Sequence, residues 1–247
     1  MCYNLFMNNS ITKLREIIAN SNNIVFFGGA GVSTESGIPD FRSADGLYNE
    51  DYNYPPEEIL SYSFFMDNTE EFYRFYKEKM LYPDAKPNNA HITLAKLEEQ
   101  GKLKAVITQN VDGLHTQAGS ENVIELHGSA LRNICMSCKE CYPVDIIINA
   151  KGIPRCSCNG IIKPDVVLYE EGLSPAVMSK ATKAIYEADV LIVGGTSLNV
   201  YPAAGMVNYY NGNKLVLINK SETSFDKYAD LIIRDSIGQA LFEAVGE

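Results

Sequence analysis

No apolar stretch of this 247-residue chain approaches the roughly 20 consecutive residues that a bilayer span requires, which excludes a helical membrane protein. The opening MCYNLFMNNS has neither a basic n-region nor a continuous apolar h-region, so export is not expected and a cytoplasmic protein is the reading. Positive charge is in short supply. Lys and Arg number 21 against 31 Asp and Glu, a net charge of −10. A general nucleic-acid binder needs a basic footprint, so no nucleic-acid partner is expected, and no membrane partner either. A basic partner such as a lysine-containing peptide is compatible with that charge, although bulk charge alone specifies no partner. Internal repeats and low-complexity tracts are absent. Histidines number only three, His91, His115 and His127, which leaves few imidazoles for proton transfer near neutrality. Four of the six cysteines fall in one metal-like cluster, which argues for a reducing compartment rather than a disulfide framework.

What is present is ordinary for a soluble α/β protein: 46% apolar and 21% charged residues, and length enough for one large domain carrying an insertion. Short apolar runs at Ile24–Phe27, Leu103–Ile107, Val123–Leu126, Val190–Val193 and Leu215–Ile218 read as strands. Between them lie helical patterns. Ile11, Leu14, Ile17 and Ile18 share one face; Leu94, Ala95 and Leu97 share another, with Gly101 as its stop. Ser174 and Pro175 read as an N-cap and first helical position ahead of the stripe Val177, Ala181, Ala184, Ile185 and Ala188. Alternating strands and helices predict a parallel sheet covered on both faces, with ligands at the carboxyl ends of the strands. Residues 44–90, rich in Tyr and Phe, and residues 131–166, which hold the cysteines, interrupt this rhythm and read as insertions.

Two local patterns carry chemistry. Cys135-x2-Cys138 and Cys156-x-Cys158 have the pairing of a four-thiolate zinc site, with Cys138-x2-Cys141 as an alternative first pair. Four thiolates leave no open coordination position, so the metal is expected to be structural and to staple an insertion too small to fold alone. A nucleic-acid zinc ribbon is the competing use, but no basic surface accompanies it. The second pattern is GGAGVSTESGIPDFRS at 28–43, directly after an apolar run. A strand that ends in such a turn can aim backbone N–H groups at a phosphate. As a dinucleotide fingerprint it is incomplete: Gly29-x-Gly31 is present, but Thr34 stands at the third glycine position. Its tail is less generic, for it sets Asp40, Phe41 and Arg42 side by side.

Together with TQNVDGLHTQAG at 108–119, ELHG at 125–128, the cysteine module at 135–158 and GGTSLNVYPAAG at 194–205, this stretch resembles the sirtuins, NAD-dependent protein-lysine deacylases. The likeness runs from about Ile24 to the C-terminus. It implies an α/β, Rossmann-like parallel-sheet lobe at 1–43, 91–130 and 167–247. A smaller lobe is implied from the helical insertion 44–90 and the zinc module 131–166. It also selects Cys135, Cys138, Cys156 and Cys158 as ligands of one structural zinc, leaving Cys141 free.

The resemblance further implies a reaction. The acyl-lysine carbonyl oxygen attacks C1′ of the nicotinamide ribose of NAD, nicotinamide leaves, and water completes transfer of the acyl group to ADP-ribose. His127, at the end of VIEL, takes the general-base role. Asn110 and Asp112, two apart on an extended segment, point the same way; in the family Asp112 holds the nicotinamide carboxamide, while Asn110 orders ribose and water. Gln109 and Val111 belong to the same cofactor segment, Phe41 shields the reacting carbon, and Arg42 faces the pyrophosphate or ribose. Ala30 and Thr34 line the phosphate loop, and Gly195, Thr196 and Ser197 form a second phosphate-facing turn. Asn219 meets the adenosine ribose, with Asp235 and Ile237 near adenine. The substrate, an acyl-lysine protein or peptide, is expected to add as a strand between 166–172 and 198–202, touching Val167 and Tyr201. A monomer is the expected state.

In the family this chain resembles, members that prefer succinyl or malonyl groups carry a Tyr-x-x-Arg pair in the helical insertion, where a cation meets the acyl carboxylate. Here Tyr76 follows Tyr73 at that spacing, and Arg74 lies about 100° from its helical neighbour. Neutral acyl groups, acetyl first, are therefore expected. Two other function classes compete: ADP-ribosyl transfer to another acceptor, and a non-catalytic zinc-containing module. His127 together with the peptide-edge motif favours deacylation over transfer to another acceptor, and the presence of Asn110, Asp112 and His127 together disfavours a non-catalytic module.

Overall fold

Short apolar segments build the centre of the molecule, whose computed structural model describes residues 2–41, 46 and 53–246. Strand β1 (Ile24–Gly28) lies between β2 (Leu103–Thr108) and β7 (Val190–Gly194). With β3 (Val123–Glu125), β8 (Lys214–Ile218) and β9 (Leu231–Ile233) the sheet order is β3-β2-β1-β7-β8-β9, and every pairing is parallel. The chain thus winds outward from β1 in one direction through β2 and β3, and in the other through β7, β8 and β9. The crevice beside β1 and β7 is the topological switch point, where ligands of such sheets bind.

Both faces of the sheet are buried, which explains why β1 and β7 are apolar throughout rather than alternating. Ile24, Phe26, Val106, Ile192 and Val216 pack against α1 (Cys2–Ala19), α5 (Asn89–Glu99) and α9 (Ile237–Val245); the helices α6 (Leu114–Gln117) and α7 (Asp145–Ile148) are one turn each. Ile11, Leu14 and Ile18 are the buried face of α1, with Ile17 partly covered beside them. On the opposite face Val25, Phe27, Leu191 and Val193 meet α8 (Pro175–Glu187) through Ala181 and Ile185. Ser174 occupies the N-cap position of α8 but its hydroxyl makes no capping bond; Pro175 alone supplies the start signal. Helix α5 is capped reciprocally: the Asn88 side chain accepts from Ala90 N at 2.8 Å, and Asn88 N donates to His91 Nδ1 at 3.2 Å. After α5, Gly101 turns the chain at φ +73°, a conformation that favours glycine.

A second, three-stranded antiparallel sheet joins β4 (Gly128–Cys135) to β5 (Cys141–Pro143) and β6 (Ile162–Val166). It shares one core with α2 (Pro56–Ile59), α3 (Tyr62–Asp67) and α4 (Thr69–Lys79), in which Phe65, Phe72, Tyr73, Phe75 and Tyr76 are enclosed. Burial of each such ring stabilises by roughly 1.5–3 kcal/mol, so the aromatic insertion and the cysteine module hold each other together. Among the described residues no helix is long and apolar enough to cross a membrane.

Candidate functional site

The register of the large sheet aligns the ends of three strands: Gly28 stands opposite both Thr108 and Gly194. Two glycine turns leave the sheet at this line and converge. Gly31 N donates to Gly195 O at 2.8 Å, and a Cβ on Gly31 would lie 2.8 Å from Gly195 Cα. Gly195 itself has φ +57°, and a Cβ there would sit 2.4 Å from Val32 N. Neither position accepts a side chain without displacing the other turn. Ala30 and Thr34 lie on the first turn, where Thr34 Oγ1 donates back to Gly31 O at 3.0 Å. Thr196, buried on the second turn, accepts from Gln109 Nε2 at 3.0 Å, so Gln109 ties the end of β2 to that of β7. Ser197, next along, is half-buried.

Asn110 and Asp112 do point the same way, and a third side chain shows it. Ser33 Oγ accepts from Asn110 Nδ2 at 3.0 Å and donates to Asp112 Oδ2 at 2.6 Å. Asp112 Oδ1 also accepts from Leu114 N at 2.9 Å. Ser33, buried at the heart of this group, is marked in the sequence only by its place in the glycine turn. Val111, between the two polar residues, turns instead toward the small-lobe core, and its carbonyl accepts from Ala130 N at 2.8 Å.

His127 lies in the turn between β3 and β4, half-buried, with Nδ1 2.9 Å from the Gln109 carbonyl oxygen. A carbonyl only accepts, so Nδ1 carries the proton and Nε2 is left with a free lone pair. Burial pushes the imidazole below its ordinary pKa of 6.5, against a smaller upward pull from the Gln109 carbonyl. The neutral base form is therefore the stable one at neutral pH. Val167 N donates to His127 O at 2.9 Å, placing the candidate substrate segment directly beside this residue. His91 and His115 are fully enclosed and stack edge-on, with ring centroids 4.6 Å apart. Burial lowers their pKa values to about 4 and about 3, which suits packing rather than proton transfer.

The remaining positions spread outward from this cluster. Phe41 packs against the small-lobe core, and Arg42 lies outside the described residues. Asn219 follows β8, with Nδ2 donating to Ser221 O at 2.9 Å. Asp235 Oδ1 accepts from Ser236 N at 2.7 Å. Ile237 is different: its side chain is buried in the sheet core, so close under Gly194 that a Cβ there would lie 2.4 Å from Ile237 Cδ1. An apolar residue opening an amphipathic helix is drawn into the core, so only its backbone is left to face a ligand. Tyr201 is 71% exposed.

The sulfur atoms of Cys135, Cys138, Cys156 and Cys158 all lie within 4.8 Å of one another. Cys135 and Cys158 are 3.5 Å apart, Cys138 and Cys156 3.4 Å. Zinc–sulfur bonds of about 2.3 Å imply tetrahedral edges of about 3.8 Å, so the four thiols fit one zinc ion. Cys141 sits across the β4–β5 ladder from Ile134, with its thiol exposed and outside the set. Gly160 is required here because a Cβ would approach Cys135 Sγ to 2.7 Å.

Glycine turns meeting at the switch point of a parallel sheet, with a neutral histidine beside them and a thiolate-stapled lobe, define a nucleotide-using enzyme domain. Comparison with known proteins agrees. The Sir2 family pattern matches residues 29–202. An NAD-dependent protein deacetylase of Clostridium perfringens is 62% identical, over 97% of this chain and 100% of the relative. A solved structure of Sir2 with a p53 peptide and NAD+ superposes with a TM-score of 0.83 at 40% identity, covering 94% of this chain and 95% of the other. A mutant Sir2 with deacetylated p53 peptide and 3′-O-acetyl ADP-ribose gives 0.86 at 38% identity, covering 96% and 100%. The chain belongs to the Sir2 family.

Proposed function

We propose that this enzyme is an NAD-dependent protein-lysine deacetylase that moves the acetyl group of lysine to ADP-ribose and releases nicotinamide. One observation carries the reading: the His127 ring, held through Nδ1 by the carbonyl of Gln109, keeps a free Nε2 lone pair, and Gln109 leads directly into the Asn110–Ser33–Asp112 group. The two turns form the cradle for a pyrophosphate, and the donors and acceptors of Gln109, Asn110 and Asp112 suit a carboxamide and ribose hydroxyls. NAD, when bound, supplies the leaving nicotinamide and the ADP-ribose that accepts the acetyl group. His127 Nε2 takes the proton of a ribose hydroxyl, and the Gln109 carbonyl holds the ring in the tautomer that can do so. Asp112, fixed by Ser33 and Leu114 N, orients the nicotinamide amide, and Asn110 orders ribose and water. Phe41, Arg42, Ala30, Thr34, Val111, Gly195, Thr196, Ser197, Asn219, Asp235 and the Ile237 backbone complete the cofactor contacts; Val167 and Tyr201 meet the peptide.

Zinc bound by the four thiolates serves as a structural crosslink. Large-lobe segments 1–43, 91–130 and 167–247 and small-lobe segments 44–90 and 131–166 form the two sides of the cleft; the two separate sheets support this division, with β4 crossing the 130/131 boundary. Neutral acyl groups are preferred. Tyr73 and Tyr76 are sealed in the core, with the Tyr73 hydroxyl donating to Ile162 O, while Arg74 pairs with Glu71 on the exposed side of α4. The partners are acyl-lysine proteins or peptides in the cytoplasm, met by a monomer that binds neither nucleic acid nor membrane; the net charge of −10 supports this.

Mass spectrometry of an acetyl-lysine peptide incubated with the protein, with and without NAD, tests the proposal. Deacetylation that requires NAD and yields O-acetyl-ADP-ribose is the expected result. Transfer of ADP-ribose onto protein without deacetylation would move the function to ADP-ribosyl transfer.

A further inference from the structure

The backbone from Val166 to Glu171, the proposed acyl-lysine edge, is held from three directions. Val167 N is tied to His127 O, as described above. Lys163 Nζ donates to Val166 O and Glu171 Oε2, both at 2.9 Å, and Glu171 Oε2 also accepts from Leu168 N at 2.8 Å. The third hold comes from the helical insertion. Tyr169 N donates to Leu60 O and Tyr62 N donates to Tyr169 O, each at 3.0 Å, forming a parallel bridge between Ser61 and Tyr169. One residue on, Glu170 adopts φ +76°, a left-handed conformation that a side chain of this kind rarely takes without compensation. Its carboxylate reaches back over the bridge and takes both donors of Ser63: the backbone N at 2.9 Å and Oγ at 2.8 Å. Charge-assisted bonds of this kind are stronger and more directional than neutral ones. Glu170 makes no ion pair among the described residues, so its carboxylate is committed to Ser63.

We infer that the Glu170–Ser63 pair is a latch that fixes the register of the substrate edge, making Glu170 a positioning residue for the acyl-lysine peptide. Strand addition works only where the receiving edge already holds its backbone groups in line, since a loose edge must be ordered at the moment of binding. The left-handed residue bends the chain just past Tyr169, within this segment, and the latch holds that bend. The fold in this way uses the first turn of α3 to aim a segment that also contacts His127. This inference rests on the deacetylase reading, which supplies the peptide.

Steady-state kinetics of Glu170→Ala, Ser63→Ala, Glu170→Gln and Glu170→Gly with an acetyl-lysine peptide test it. Glu170→Ala should raise the peptide KM on the order of tenfold, equivalent to about 1.4 kcal/mol, and Ser63→Ala, which keeps the backbone N–H bond to Glu170, should raise it by a smaller factor. The KM for NAD and the zinc content should stay unchanged. The double variant should be no worse than Glu170→Ala alone, since the carboxylate is common to both bonds. Gln keeps an acceptor for Ser63 N and a donor for Ser63 Oγ, so Glu170→Gln should restore the peptide KM. Gly adopts φ +76° freely, so Glu170→Gly folds without strain yet should show the same raised peptide KM. An unchanged peptide KM in Glu170→Gly, an equal rise in the KM for NAD, or a Gln variant as impaired as Ala would overturn the latch. If the wild-type protein shows no NAD-dependent peptide turnover, the deacetylase reading fails instead, and hydrogen exchange at 166–171 decides the latch. Faster exchange in Glu170→Gly and Ser63→Ala supports it; unchanged exchange refutes it.

Discussion

The buried pair His91 and His115 makes folding stability sensitive to acid in a window far from any carboxylate transition. Both rings are enclosed, and neither His91 Nε2 nor either nitrogen of His115 has a hydrogen-bond partner among the described residues. Protonation in the fold would place an uncompensated charge next to a second imidazole, with only the Asp112 carboxylate pulling the other way on His91. In the unfolded chain each titrates near 6.5, but in the fold near 4 and 3. Between those values the unfolded state binds more protons, so stability falls as the pH falls, beginning at about 6.5. At about pH 5 the unfolded pKa alone sets the size of the effect: about 2 kcal/mol per histidine relative to about pH 7.5, or about 4 kcal/mol for the pair. Urea unfolding of wild-type and His115→Leu at both pH values measures it. Any change that leucine makes to packing cancels, since each protein is compared with itself. His127 and the carboxylates of Asp189, Asp226 and Asp230 are common to both. The variant should lose about 2 kcal/mol less than wild type on acidification. Equal losses would show that His115 protonates freely in the fold, and the account of its burial would be wrong.

His127→Ala should lower deacetylation by about 10²- to 10⁴-fold, the range for a lost general base, while calorimetry shows NAD still binding and zinc content is retained; full turnover would refute the assigned role. Because burial lowers the His127 pKa, the acid limb of kcat/KM should fall below 6.5, and a limb above that value would contradict a buried neutral imidazole. Ser33→Ala strands the Asp112 carboxylate and the Asn110 amide, a cost of about 1–3 kcal/mol that should appear as a 10- to 100-fold loss in kcat/KM for NAD. Gly160→Ala drives a methyl group against Cys135 Sγ, so metal analysis should find less than one zinc per chain. Chelation of the wild type should unfold the small lobe, read as exposure of its buried tyrosines to solvent; a folded, fully active metal-free protein would refute a structural role.

The strands of the large sheet were legible because residues buried on both faces must be apolar without a break, and glycine or polar residues then mark where the backbone leaves the sheet. Cys141 was harder to place: its spacing from Cys138 equals that of Cys135, and only the pairing with Ile134 across β4 and β5 turns it away from the cluster. Ser33 was invisible for a different reason. A serine after a glycine turn usually bonds its own backbone, and its real partners, Asn110 and Asp112, are 77 and 79 residues away. Ile237 divides along the same line: its apolar side chain belongs to the core, so any contact with a ligand falls to its backbone.

Motifs separated by most of the chain can form one site because the parallel register brings their strands to a common line. Gly28, Thr108 and Gly194 are held level by hydrogen bonds that pay no attention to side-chain identity. The residues just beyond them then lock the line in place. Gln109 bonds to Gly28 O and Thr196, Gly31 bonds to Gly195, and Ser33 bonds to the loop that follows β2. His127 enters through the same route, since its ring is oriented by the Gln109 carbonyl rather than by any neighbour in sequence. A substitution at Gly31 or Gly195 would therefore disturb more than a phosphate contact. It would separate the two turns, pull Gln109 from Thr196, and carry the histidine's hydrogen-bond acceptor with it, so binding and proton transfer should fail together.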